Sequence, residues 1–322
     1  MARFFEYLIT AWIIITANFF LPRLVPGDPL LYLTGEAGGD TAVVIDEAAR
    51  EKLREYYELD RPLGRQYLNY LKGIFTADLG YSIHFRTSVF SLIRQTIPWT
   101  LFLVLTSVIL SSGIGIFLGA LSAWNRGRLT DKALMTLIMG TAAVPSFLLA
   151  VFLQIIFSIK SGIFPVSGAM TFYKDYAGFA DKVLDILRHS ALPVLTLTTV
   201  LLSENYLLVR NTMINILSAD YIFVARMKGL PEWIVMCRHA LRNALMPILT
   251  HASLRLGLAV GGMIFVETVF SYPGMGELMY RSVVTHDYPV TQGVFLVITI
   301  TVLTVNFVID LLYKRLDPRI VR

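Results

Sequence analysis

The sequence predicts an all-α polytopic membrane protein with six transmembrane helices, and three observations carry that prediction. Of 322 residues, 55% are hydrophobic and only 16% charged, with mean hydropathy +0.63; a soluble domain carries about a quarter charged residues. The apolar residues concentrate in six runs, approximately 4–24, 97–123, 133–159, 192–213, 245–268 and 291–313. Each is long enough to cross a hydrocarbon core, which takes roughly 20 residues. Finally, the runs are continuous. Backbone groups in hydrocarbon must be paired internally, so such runs become helices, whereas a barrel would show shorter stretches of alternating polarity.

Taken in order, the first run follows Arg3 and could serve as a signal peptide. No A-x-A cleavage site follows it, so it is read as a retained first span. Residues 25–94 form the one sizeable extramembrane piece. Within it, Leu53, Tyr57, Leu63, Tyr67 and Leu71 have helical spacing, in a segment of near-balanced charge. That segment is too short for a large core of its own, so it is expected to cap the spans. The second run carries Gly113, Gly115 and Gly119, a small-residue face suited to close helix approach. Arg3, the group Arg126, Arg128 and Lys132, the basic stretch near residue 230, and the group Lys314, Arg315, Arg319 and Arg322 fall on one side of the membrane. The loop after the fifth run holds only Arg281. The excess of Lys and Arg places that first side, and both termini, in the cytoplasm. The expected organisation is therefore a first helix at 1–24, an extracytoplasmic loop region at 25–94, a core at 95–313 with a cytoplasmic loop at 214–243, and a tail at 314–322.

Several functions are excluded. A net charge of +5 and pI near 9.2 suit nucleic acid, but the basic residues are not clustered with stacking aromatics, and cytoplasmic loops account for them. Cys237 is the only cysteine, so no intrachain disulfide or Cys-x-x-Cys pair can form. There is no G-x-x-x-x-G-K-[ST], H-E-x-x-H or G-x-S-x-G, and His84, His189, His239, His251 and His286 lack metal-ligand spacing. No nucleotide site, catalytic site or metal site is expected in this chain. A self-sufficient secondary transporter or channel would predict inverted repeats, which are not visible.

The stretch "ARMKGLPEWIVMCRHALRNALMP", residues 225–247, stands out between apolar runs. Ser218 suits an N-cap, Asp220 suits a first turn, Gly229 suits a left-handed C-cap position, and Pro231 suits the opening of the next helix. A short helix, a hinge and a second helix result. This is either a basic loop against anionic lipid or a docking element for a cytoplasmic protein, which the capping and hinge chemistry fits better.

Intramembrane polar residues mark functional positions. Glu204 lies roughly 14 Å in from residue 213 and Arg255 roughly 15 Å beyond residue 245, at 1.5 Å per residue. They are placed to pair or to line a pathway, with His251 one turn away. Glu267 sits at the far end of the fifth run, followed by Pro273, Gly274 and Gly276 in a turn. These form either an outer gate or a support for the next span.

Motifs across the chain resemble the membrane subunits of ABC importers. "DYIFVARMKGLPEWIVMCRHALRNALMPIL" resembles their cytoplasmic signature loop. With it stand "LVPGDP", "YLNYLKGIFTADLGYS", "GIFPVSGA", "GGMIFVETVFSYPGMGEL", "HDYPV" and "DLLYKRLDPRI". Together they look like the peptide/nickel permease branch. Asp220-Tyr221 replaces the usual Glu-Ala opening, and Met227 stands where the branch has alanine.

The resemblance implies a type I ABC importer fold and a pathway for peptides, or alternatively for nickel or a metal chelate. Its implied partners are a second homologous permease subunit, two ABC ATPase subunits that bind ATP and Mg, and an extracytoplasmic substrate-binding protein. The implied location is the cytoplasmic (inner) membrane of a prokaryote. By the same resemblance, Asp220, Tyr221, Ala225, Arg226, Lys228, Gly229, Arg238, Arg242, Asn243 and Pro247 belong to the ATPase-coupling segment, with Arg226, Lys228 and Arg242 holding it to the partner.

Overall fold

The computed structural model describes residues 2–24, 51, 61–82, 84–244, 263–285 and 287–316. In chain order they form α1 (Ala2–Leu24), α2 (Leu63–Thr76), β1 (Tyr81–Ser82), β2 (Thr87–Ser88), α3 (Val89–Trp124), α4 (Leu129–Ala142) and α5 (Ser146–Leu153), which continues as a π-helical stretch, Gln154–Lys160. Then follow α6 (Phe179–Leu217), α7 (Asp220–Met227) and α8 (Glu232–Ile234), which runs into a second π-helical stretch, Val235–Leu241. The last two helices are α9 (Met275–Val284) and α10 (Tyr288–Leu316). Among the described residues the only strands form one two-stranded hairpin, and helices joined by turns and short loops make up the rest.

Three helices among the described residues are long and apolar enough to cross a bilayer alone, α3, α6 and α10. The expected third run is not one straight span. It breaks between α4 and α5, whose directions differ by 97°. Pro145 explains the break. It has no N–H to donate, and its ring pushes Val144 out of helical conformation, so the chain restarts with Pro145 as the N-cap of α5. The first run lies in α1, whose apolar stretch is 5–20. Most of the fifth run lies outside the described residues, and 263–269 are helical. α3 starts at Val89, inside the segment expected to be loop.

Two compact units divide the chain, residues 1–99 with 273–304, and residues 100–272 with 305–322. In the first, the aromatic face of α2 lies on α1. The Tyr67 hydroxyl meets Thr16 at 2.7 Å, Asn18 Nδ2 donates to the Tyr70 hydroxyl at 3.0 Å, and Phe19 is buried edge-on to Tyr67. The hairpin aligns Tyr81 with Ser88 and turns directly into α3. Ser82 also bonds the buried Asp287 carboxylate just before α10. The core here is Val89, Ile93, Met275, Leu278, Val290 and Val294.

In the second unit, α3 and α6 approach more closely than two ordinary helices. A β-carbon on Gly115 would lie 2.7 Å from Asn205 Cβ, and one on Gly119 would lie 2.7 Å from Val209 Cβ and 2.9 Å from the Tyr206 carbonyl oxygen. Gly113, from the same expected face, has open space around it. At 39 residues, α6 spans roughly 58 Å. It therefore runs well past the hydrocarbon core, about 30 Å thick, that its apolar stretch would cross.

This contact makes a paired prediction. Gly119→Ala forces one methyl into backbone and should destabilise the protein by about 1–3 kcal/mol, lowering the thermal midpoint in detergent. Gly113→Ala, in open space, should leave that midpoint unchanged or raise it. Equal midpoints for the two variants would contradict the close approach.

Candidate functional site

The segment after α6 is built from local backbone chemistry. Ser218 does not cap α7, contrary to the sequence expectation. Its hydroxyl donates to the Asn215 carbonyl at 2.8 Å, finishing α6, because that acceptor lies only three residues back. Extended Ala219 is the N-cap instead (φ −78, ψ 146), with its carbonyl accepting from Ile222 N at 3.0 Å. Asp220 stands in the first turn, where a carboxylate opposes the positive end of the helix dipole. At the other end Gly229 takes φ +70 and its N–H donates to the Arg226 carbonyl at 2.9 Å. Nothing lies within 4 Å of a β-carbon there, so backbone conformation alone favours glycine. Pro231 then caps the next helix, its carbonyl accepting from Ile234 N at 2.9 Å.

The two faces of α7 differ in kind. Ile222 and Ala225 are buried in a cluster with Ala120 and Ala123 of α3, Val209 and Met213 of α6, and Val235, Ala240 and Ala244. Burying a side chain of isoleucine size stabilises by about 1.5–3 kcal/mol. On the opposite face Phe223, Val224 and Met227 are 65%, 50% and 74% exposed, with Trp233 on α8 exposed at 67%. The sequence view stressed the basic residues and missed this apolar face.

The charged residues have mixed surroundings. Arg226 Nε lies 3.3 Å from Glu232 Oε1, and its guanidinium sits 5.5 Å from the Trp124 ring, so it braces α7 against the ends of α3 and α8. Such an exposed pair contributes under about 1 kcal/mol, leaving the buried cluster as the main anchor. Neither Trp124 nor Glu232 was expected from sequence. Lys228, Arg238 and Arg242 are exposed. Asn243 donates to the Tyr221 hydroxyl at 3.1 Å and to the His239 carbonyl at 2.9 Å, tying α7 to the chain that follows it. Pro247, His251 and Arg255 lie outside the described residues.

Other expected residues separate. Glu204 is half-buried on α6, beside Asn205, whose amide donates to Ser111 Oγ of α3 at 3.2 Å. Glu267 is fully buried and accepts from Thr100 Oγ1 at 2.7 Å. Its carbonyl takes the Tyr272 N–H at 2.8 Å, closing a turn in which Ser271 has φ +44. That turn is fastened on several sides. Gly168 N donates to the Phe270 carbonyl at 2.9 Å, Gln154 Nε2 donates to the carbonyls of Val166 and Val269 at 2.8 and 3.2 Å, and the buried Tyr272 hydroxyl meets Ser190 Oγ at 3.1 Å. Pro273, Gly274 and Gly276 fall in the other compact unit, where Gly274 caps α9 and Gly276 is buried in its first turn.

One buried polar cluster was not anticipated at all. Arg210 of α6 donates from Nε to Asp131 Oδ1 at 2.8 Å and from its terminal nitrogen to Oδ2 at 2.9 Å. Asp131, in the first turn of α4, also accepts from the Ser122 hydroxyl and, at 2.9 Å, from the Gly127 N–H. Ser122 in turn meets the Tyr206 hydroxyl at 2.6 Å. A lone Arg near the end of an apolar run was the available signal.

With this geometry in place, similar proteins can be compared. The family described as "Binding-protein-dependent transport system inner membrane component" matches residues 115–322. The chain is 37% identical over 303 residues to a putative peptide permease protein of Brucella ovis, covering 94% of this chain and 92% of that one. It is 34% identical over 316 residues to the di/tripeptide transport system permease protein DppB of Pseudomonas aeruginosa, with the same coverage. It is 33% identical over 319 residues to the dipeptide transport system permease protein DppB of Escherichia coli. Two inward-facing structures of the MetNI methionine ABC transporter share the fold at TM-scores of 0.54 and 0.58 and 17% identity, covering 70% of this chain and 96% of theirs.

The anchoring of α7 yields its own test. Ile222→Ala should cost about 2–5 kcal/mol locally, visible as faster amide exchange across residues 220–229 with little change in α6. Unchanged exchange would contradict the one-sided anchorage.

Proposed function

We propose, from the premise that this chain belongs to the family of binding-protein-dependent transport system inner membrane components, that α7 is the element through which ATP hydrolysis drives peptide import. The chain is the permease component of an ABC importer. Its substrates are di- or oligopeptides, which the names of its relatives support. It pairs with a second, homologous permease subunit in a prokaryotic inner membrane, with both termini cytoplasmic. Two cytoplasmic ATPases bind ATP and Mg, so this chain supplies a path and no catalysis, and an extracytoplasmic binding protein delivers the peptide.

One observation carries the coupling role. α7 is buried on one face against the ends of α3 and α6 and the chain after α8, and bare on the other, where Phe223, Val224 and Met227 stand exposed. A helix loaded from one side and anchored on the other passes a push to the spans beneath it. Closure of the ATPase dimer would carry α7 with it, and α3 and α6 would follow as packed bodies rather than bending. Lys228, Arg238 and Arg242, exposed on the same segment, steer encounter, while the apolar side chains hold the contact. Gly229 sets the bend between α7 and α8. Glu204, with Arg255 and His251, supplies polar groups along the pathway, and Glu267 with Pro273, Gly274 and Gly276 belongs to the extracytoplasmic gate.

The test is Phe223→Asp combined with Met227→Asp in the assembled transporter. Both side chains are exposed, so the thermal midpoint should hold. ATPase co-purification should be lost and uptake of labelled dialanine should fall more than about 100-fold, a few kcal/mol of contact at 1.4 kcal/mol per decade. Full co-purification and uptake would overturn the coupling role.

A further inference from the structure

The hydrophobic cluster that holds α7 has a gap in its membership. Among the described residues it draws on α3, α6 and the chain from α8 onward, and it includes none from α4. Yet α4 opens the broken third span, and a push on α7 that left α4 behind would shear it against α6. The Asp131–Arg210 cluster sits where that shear would occur. Arg210 lies one turn before Met213, a member of the cluster beneath α7, and Ser122 lies between the cluster members Ala120 and Ala123.

We propose that Arg210 and Asp131, with Ser122 and Tyr206, form a latch that makes α4 move with α3 and α6 when α7 is displaced. This rests on the coupling role of α7 and adds residues that touch neither substrate nor ATPase. Apolar packing between helices tolerates sliding. A guanidinium bonded through two nitrogens to both oxygens of one carboxylate does not, because register and angle must both hold. The latch is also shielded by the protein, with side chains 14% and 5% exposed for Arg210 and Asp131. Asp131 is held from four directions: two by Arg210, one by Ser122 and one by the Gly127 N–H in a turn where Gly127 takes φ +80. Tyr206 completes it from α6 through Ser122. Three helices and one turn therefore meet at a single carboxylate. Arg210 and Asp131 are positioning residues.

The experiment uses the complete reconstituted transporter with its ATPases and binding protein, and reads ATP hydrolysed per labelled dialanine imported. Removing one charge would leave the other buried and alone, so the informative variant removes both, Asp131→Leu with Arg210→Leu; replacing a whole buried pair with apolar side chains is often neutral for folding. The latch predicts that this variant assembles and hydrolyses ATP, while ATP consumed per peptide rises by about 10-fold or more, within the range of ordinary coupling energies. Arg210→Lys keeps the charge but loses the two-pronged geometry, so it should fall in between. Tyr206→Phe, which removes only a hydroxyl, should fold normally and raise the ratio by a smaller factor.

Wild-type stoichiometry in the double variant would overturn the latch, since a mere fold-stabilising pair predicts that result. Failure of the double variant to assemble, or a wild-type ratio in both Arg210→Lys and Tyr206→Phe, would overturn it too. Failure of the α7 coupling role reads differently: Phe223→Asp with Met227→Asp would then keep full ATPase co-purification and uptake, whatever the ratio in the latch variants.

Discussion

The close approach of α3 and α6 is the constraint on which the second unit's geometry depends. Where Gly119 faces Val209 there is no room for a β-carbon, and this brings Ala120 and Ala123 level with Val209 and Met213. Those four side chains form the floor that receives Ile222 and Ala225. A larger residue at the contact would part the helices and leave the short α7 with nothing to rest on. Eight residues cannot hold a helix by hydrogen bonds alone, so α7 exists as a helix because this floor exists.

Charge and apolar surface have divided roles here. At the exposed face of α7 the contact area is apolar, and Arg226 is already occupied by Glu232 and Trp124. Deeper in, the only closely paired charges joining α4 to α6 among the described residues are Asp131 and Arg210. Burying ions is costly unless geometry and additional hydrogen bonds repay it, and Asp131 has those bonds. Exposed apolar residues suit a contact that another protein covers, and a shielded, two-pronged ion pair suits a joint that has to keep its register. The same logic holds at the turn after Glu267, where a buried carboxylate and a buried tyrosine are both satisfied by neighbours from other segments.

Much of the fold was legible because it depends on properties local in sequence. Long apolar runs announce helices in hydrocarbon, and Gly229 was readable because a left-handed φ at a helix end selects glycine. Ser218 misled because its hydroxyl, which as an N-cap would accept from a backbone N–H ahead of it, instead donates to the Asn215 carbonyl behind it. The break at Pro145 was hidden by averaging apolarity over a whole run, although the proline itself was visible. Other features were not legible even in principle from one sequence. Asp131 and Arg210 are 79 positions apart, and nothing near either names the other. In α7, Ile222, Phe223 and Val224 are equally apolar, and only the packing of α3, α6 and the chain after α8 decides which of them is buried.

The central claim is that the bare face of α7 is where another protein takes hold. A photoreactive phenylalanine analogue at position 223 in the assembled transporter tests it most directly. The account predicts that illumination yields a covalent adduct with the ATPase subunit, and that the yield changes when ATP is added. Adducts with lipid alone, or none with the ATPase in a complex that still imports peptide, would contradict it.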